Sequence, residues 1–150
     1  MYPIRVSAKA LIYRDKTILC SHYKSEADEW YVIPGGGVQG EEMAIEGVVR
    51  EVLEETGYAI KVDELAFVRE FIPSRLGNDD FRDGFHQIEL YFVCSLVEQE
   101  PQHPTEHDKH QVGCAWLPLD KLNDYKVYPS SLQEAIRDRD FKNPYVGNVK

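Results

Sequence analysis

One segment limits this chain more than any other. From about Glu41 to Thr56, Ile45, Val48, Val49 and Val52 fall on one face at about 100° per residue, and Gly57 follows as a left-handed cap. Such a helix must bury its valine face against another layer, and the segments on either side have the period of strands. Ile4 to Tyr13 and Thr17 to Tyr23 flank the polar turn Arg14-Asp15-Lys16 and read as a hairpin. Trp30 to Ile33 is a short strand that stops at Pro34-Gly35-Gly36-Gly37, a glycine loop able to turn backbone groups toward a metal or a phosphate. Lys61 to Ile72, Gln87 to Glu98 and Val112 to Leu117 are further strands, and Ser130 to Arg137 forms a final helix. Strands mixed with two helices predict an α+β or α/β/α layered domain.

The length of 150 residues fits one sizeable core, and no repeat or linker divides it, so a single domain over 1–150 is expected. The apolar runs are short, which excludes a membrane span, and the N-terminus lacks the apolar region of a signal peptide. The expected location is therefore cytoplasmic. A formal charge of −9 excludes nonspecific nucleic-acid binding, which needs a positive field, but admits an anionic substrate that meets the protein across a bound cation. Cys20, Cys94 and Cys114 are odd in number, widely spaced and set among apolar neighbours, and are expected to be buried reduced thiols.

Three carboxylates stand within five positions of the helix: Glu51, Glu54 and Glu55. Their i, i+3, i+4 spacing gathers them on a face separate from the valines, where like charges cost a few tenths of a kcal/mol per pair. A hard divalent cation would reverse that sign, because Mg²⁺ takes carboxylate and carbonyl oxygens and shares its site with substrate phosphates. Gly47, on nearly the same face, leaves room for a ligand to approach. Taken alone, the acidic face fits a solvated surface equally well.

The wider spacing separates the two readings. Gly36 is followed after five residues by Glu42, and after seven more by Arg50, which runs into Glu51, Glu54, Glu55 and Gly57. This resembles the Nudix hydrolase family, MutT-like, with its signature G-x5-E-x7-R-E-U-x-E-E-x-G-U, where U is a bulky aliphatic residue. Every fixed Gly, Glu and Arg is present between Gly36 and Tyr58, and the one departure is Tyr58 at the last U position. The resemblance implies a Nudix fold, an α/β/α sandwich around a mixed central sheet with a loop-helix-loop motif. It also implies Mg²⁺-dependent hydrolysis, with Mn²⁺ as a substitute, of the pyrophosphate linkage in a nucleoside diphosphate derivative. That derivative is a nucleoside triphosphate or a sugar nucleotide such as ADP-ribose.

Carried over by position, the metal ligands are Glu51, Glu54, Glu55 and the Gly35 carbonyl. Arg50 and Glu42 form an ion pair that orients the helix. The choice of general base stays open, since Glu54 can be ligand or base and some relatives use a loop carboxylate, for which Glu106 and Asp108 are candidates here. His103, His107 and His110 suggest zinc by their closeness, though a polar turn accounts for them better. For substrate contact the candidates are Arg75 and Arg82, in the loop Pro73 to Phe85, and Trp30, which a base could stack on. The tail 138–150 is expected outside the core, and the resemblance makes a homodimer plausible. The alternative function is a catalytically silent Nudix domain that binds nucleotide or acts as a regulatory module, but such domains often lose signature carboxylates, and this chain keeps them all.

Overall fold

The computed structural model describes every residue except 1, 79 and 105–108. Its strands are β1 (Arg5–Arg14), β2 (Thr17–Lys24), β3 (Glu29–Val32), β4 (Gly35–Gly37), β5 (Ile60–Phe71), β6 (Gln87–Leu96), β7 (Gln111–Pro118), β8 (Val127–Tyr128) and β9 (Tyr145–Asn148). The helices are α1 (Ala44–Thr56) and α2 (Gln133–Asp138), and 3₁₀ turns cover Pro73–Leu76, Leu119–Asp124 and Ser130–Leu132.

The strands run in the order β8-β3-β2-β1-β6-β5-β9, with β4 added on β1 and β7 on β2. Pairing is mixed: β1 is parallel to β6 from Arg5↔Gln87 to Ile12↔Cys94, while β5 is antiparallel to β6. The predicted hairpin forms, closed at Tyr13↔Ile18 and Arg14↔Thr17. Strand β1 organises the core, because its side chains alternate between faces with a period of two. Ala8, Ala10 and Ile12 join Val48 and Val52 of α1 in one apolar layer. Leu11 turns the other way, into a second layer with Ile18, Phe67, Tyr91 and Ile136 of α2. Helices on both faces of a mixed sheet give the expected α+β sandwich, and full burial of Val48 and Val52 contributes about 2 kcal/mol each.

Four expectations change. The glycine loop is a strand: Gly35, Gly36 and Gly37 pair with Lys9, Ala8 and Ser7. Only glycine allows this closeness, since a Cβ at Gly35 (φ +143°) would lie 2.1 Å from the Ala8 carbonyl oxygen. The tail is part of the fold, as β9 lies parallel to β5 and Phe141, Val146 and Val149 pack on the core. Its four-residue strand is too short and too interrupted by Gly147 to announce itself by periodicity. Cys20 and Cys94 are buried, and burial first of all lifts each thiol to about 12, but Cys114 is exposed. Finally, α1 begins at Ala44, because the Glu46 carboxylate folds back to accept the Met43 N–H at 2.9 Å and closes the first turn there. Among the described residues no helix is long and apolar enough to cross a membrane.

Candidate active site

The last two turns of α1 lie beside β4, and this contact positions the acidic face. Helix end and strand are set by backbone chemistry. Gly57 closes the helix with a left-handed φ of 80° and a hydrogen bond from its N–H to Leu53 O. A Cβ there would lie 1.8 Å from the Gln102 carbonyl oxygen, so the glycine also lets the incoming chain pass. Thr56 Oγ1 donates to Val52 O at 2.7 Å and tightens the same turn.

Arg50 is the hub of the charged face. Its Nε donates to Glu42 Oε2 at 2.8 Å and its Nη2 to Glu42 Oε1 at 3.1 Å, a bidentate fork. Nη1 reaches Glu51 Oε1 at 3.0 Å and Glu54 Oε2 at 3.3 Å, and Nη2 also donates to Gly37 O at 3.2 Å. One guanidinium thus ties the loop before the helix, the helix and β4 together. Hydrogen bonds from Arg50, then from the Gln39 N–H, hold the Glu42 carboxyl down at about 2. The Glu42 carboxylate in turn raises the affinity of Arg50 for its proton, and Glu51 adds to this against the cost of partial burial.

Glu55 is directed elsewhere. It is only 7% exposed, and its Oε2 accepts the Gly35 N–H at 3.2 Å. Gln111 of β7 supports the same turn by donating Nε2–H to Glu55 O at 3.3 Å. Nothing in the sequence singles out Gln111, whose role follows from β7 running past the end of α1. Glu51 closes the other side of β4, for a Cβ at Gly36 would lie 2.5 Å from Glu51 Cδ. The carboxylates of Glu51 and Glu55 therefore both lie against the Gly35–Gly36 backbone. An all-oxygen set of two carboxylates and a neighbouring carbonyl, in a cradle that one methyl group would fill, fits a hard divalent cation. Among the described residues no three His, Cys, Asp or Glu side chains are gathered around one point: Arg50 bonds Glu51 and Glu54, and Glu55 turns to the Gly35 N–H.

The other predicted residues lie in three places. Trp30, on β3, stacks on Tyr23 at 5.6 Å between centroids and meets His110 edge-on at 6.4 Å. Arg75 is in the 3₁₀ turn after β5, and Arg82 lies 4.1 Å from the Tyr2 ring centroid and 5.3 Å from that of Phe85. Glu106, His107 and Asp108 lie outside the described residues.

Comparison with known proteins supplies the family. The NUDIX domain family model matches residues 3–138 of the 150. A protein of Caenorhabditis elegans named as a nudix hydrolase is 30% identical over 118 residues, which are 79% of this chain; the chain spans only 26% of that relative's length. The crystal structure of a MutT NUDIX hydrolase from Burkholderia pseudomallei superposes with a TM-score of 0.68 at 26% identity, covering 88% of this chain and 96% of that one. An ADP-ribose pyrophosphatase from Streptococcus suis shares the fold with a TM-score of 0.66 at 16% identity over 99% of this chain and 100% of its own. With the family model spanning both layers of the core and the whole Gly36 to Tyr58 signature, this chain belongs to the Nudix hydrolase family.

Proposed function

We propose that this protein hydrolyses the pyrophosphate linkage of a small nucleoside diphosphate derivative, a nucleoside triphosphate or a sugar nucleotide such as ADP-ribose, with Mg²⁺ or Mn²⁺. The observation that carries the reading is the convergence of Glu51 and Glu55 on the Gly35–Gly36 backbone, which puts acidic oxygens on a glycine edge that at Gly35 has no room for a side chain. Glu51, Glu55 and the Gly35 carbonyl would hold the cation, with Glu54 as a further ligand or the proton acceptor. A divalent ion held there would neutralise phosphate oxygens and lower the pKa of bound water.

The chain's own part is orientation and charge control. Arg50, anchored by Glu42, keeps the helix in register with β4. It also supplies the positive charge that lets Glu51 and Glu54 stand together before a cation arrives. Glu54, with 26% of its side chain exposed against 19% for Glu51, is the glutamate of that pair more open to a solvent water. The test is a screen of nucleotide derivatives with Mg²⁺ and with Mn²⁺, both products identified by mass. Turnover that yields a nucleoside monophosphate or inorganic pyrophosphate supports the reading, and binding without turnover of any compound would leave a silent nucleotide-binding module.

A further inference from the structure

A second concentration of like charge, opposite in sign, lies at the start of β1. Arg5 and Arg82 are both exposed and both gather on one ring: their guanidinium carbons are 5.9 Å and 5.3 Å from the Phe85 centroid. Arg82 also lies over Tyr2 at 4.1 Å. In a chain of formal charge −9, neither arginine has a carboxylate within ion-pairing distance among the described residues. Arg50, Arg69 and Arg137, by contrast, are paired with Glu42, Glu89 and Asp138. Each guanidinium rests on an aromatic ring rather than on a counterion.

Arg5 connects this patch to the edge of the proposed site. An open groove runs along Arg5, Gly37, Val38, Gln39 and Gly40 to Ala44 at the start of α1. Arg5 leans directly over its floor, since a Cβ at Gly37 would lie 3.4 Å from Arg5 Nη2. The carbonyl of that same Gly37 accepts Arg50 Nη2. Gly37 is thus the shared boundary of the acidic face and the basic patch, with the Glu51-facing Gly36 next to it. The loop carrying Arg82 is tied to the start of β1 by the Arg5 N–H, which donates to His86 O at 3.0 Å.

We propose that Arg5 and Arg82, seated on Phe85, form an anion subsite that takes the phosphoryl group of the substrate remote from the cation, across the Gly37 edge. The assignment rests on the pyrophosphohydrolase reading above and adds to it a residue pair and a direction: the diphosphate lies along the groove, one phosphoryl toward the glutamates and one toward the arginines. Planar guanidiniums suit phosphoryl oxygens, which they can bind with two parallel N–H donors. The aromatic seat lowers the cost of ordering two long exposed side chains.

The experiment is calorimetric titration with inorganic pyrophosphate in the presence of Mg²⁺, together with steady-state kinetics on whichever nucleotide derivative the screen identifies. Compared are the wild type, Arg5→Gln, Arg82→Gln, the double variant, Arg5→Lys/Arg82→Lys, and Arg137→Gln as a control that removes equal charge from a paired surface site. Each single Gln variant is expected to weaken pyrophosphate binding and raise KM about tenfold, with kcat changed far less and the melting temperature kept. The double Lys variant should recover part of the loss, and Arg137→Gln should lose nothing. Unchanged binding in the double Gln variant, or an equal loss in Arg137→Gln, overturns the subsite. Should the screen find no turnover, the hydrolase reading fails by itself, because pyrophosphate titration still reads the subsite directly.

Discussion

Arg50 donates from Nε and Nη2 to the two carboxylate oxygens of Glu42, at 2.8 Å and 3.1 Å, and with its remaining nitrogen reaches Glu51 and Glu54. The residue expected to orient the helix is therefore also the cation that stands among the glutamates. Glu42→Gln should release Arg50 toward Glu51 and Glu54 and compete with metal binding. The expected result is a 10- to 100-fold loss, as an order of magnitude, in kcat/KM or Mg²⁺ affinity with the fold retained, read by Mg²⁺ titration of activity.

The same pair sets a pH dependence. Glu42 is depressed to about 2 in the folded state, so its contribution is present above its unfolded value, about 4.3, and is lost as the pH falls toward 2. Melting temperatures of wild type and Glu42→Gln should differ at pH 6 and converge between about pH 4.5 and 2. A difference that stays constant across that window would mean the Arg50 fork does not act through the ionised carboxylate.

Glu54→Gln and Glu55→Gln test the chemistry. Glu55→Gln keeps an oxygen to accept the Gly35 N–H, so the fold should survive while the charge is lost. Turnover with Mg²⁺ is expected to fall by about 10²–10⁴-fold in at least one of the two, and chelation should abolish wild-type turnover until Mg²⁺ or Mn²⁺ is restored. Full activity in both variants would remove these glutamates from the site.

The glycines of β4 should separate folding from function. Alanine at Gly35 meets the Ala8 backbone at 2.1 Å and needs φ +143°, so Gly35→Ala should cost about 1–3 kcal/mol or more in urea unfolding. Alanine at Gly36 meets only the movable end of Glu51, so Gly36→Ala should unfold near the wild-type midpoint yet bind the cation about tenfold more weakly.

Arg69 and Glu89, 6% and 4% exposed, form a buried pair at 2.6 Å. Burial works hardest against the Glu89 charge, yet Lys9, Arg69 and the Tyr91 hydroxyl together hold its carboxyl below the ordinary value. Arg69 Nε also donates to Val149 O at 2.9 Å, clamping the chain just beyond β9. Arg69→Met should cost about 3–5 kcal/mol and loosen 145–150 to hydrogen exchange, while Arg69→Met/Glu89→Leu should recover most of the stability. A loss in the double variant equal to that in the single one would show that the clamp on Val149, and not the stranded charge, carries the effect.

Periodicity and spacing made much of this protein legible. The valine stripe required a helix on a sheet, the alternation along β1 required two apolar layers, and the interval from Gly36 to Gly57 marked the family, because each of these depends on residues near one another in the chain. Three features depended on contacts that no local pattern encodes. The glycines became a strand only because β1 offers an edge that Cβ-free residues can approach, and β9 formed only because Arg69 and the edge of β5 receive it from 76 to 80 positions away. The acidic run, likewise, held its carboxylates in sequence but not their partners: whether Glu51 faces Arg50 and Gly36, and Glu55 faces Gly35, was decided by the packing of α1 across β4. Sequence determined which charges this protein carries on its helix; tertiary structure decided which backbone they meet, since a backbone N–H or a bare Cα has no signature until two segments are brought together.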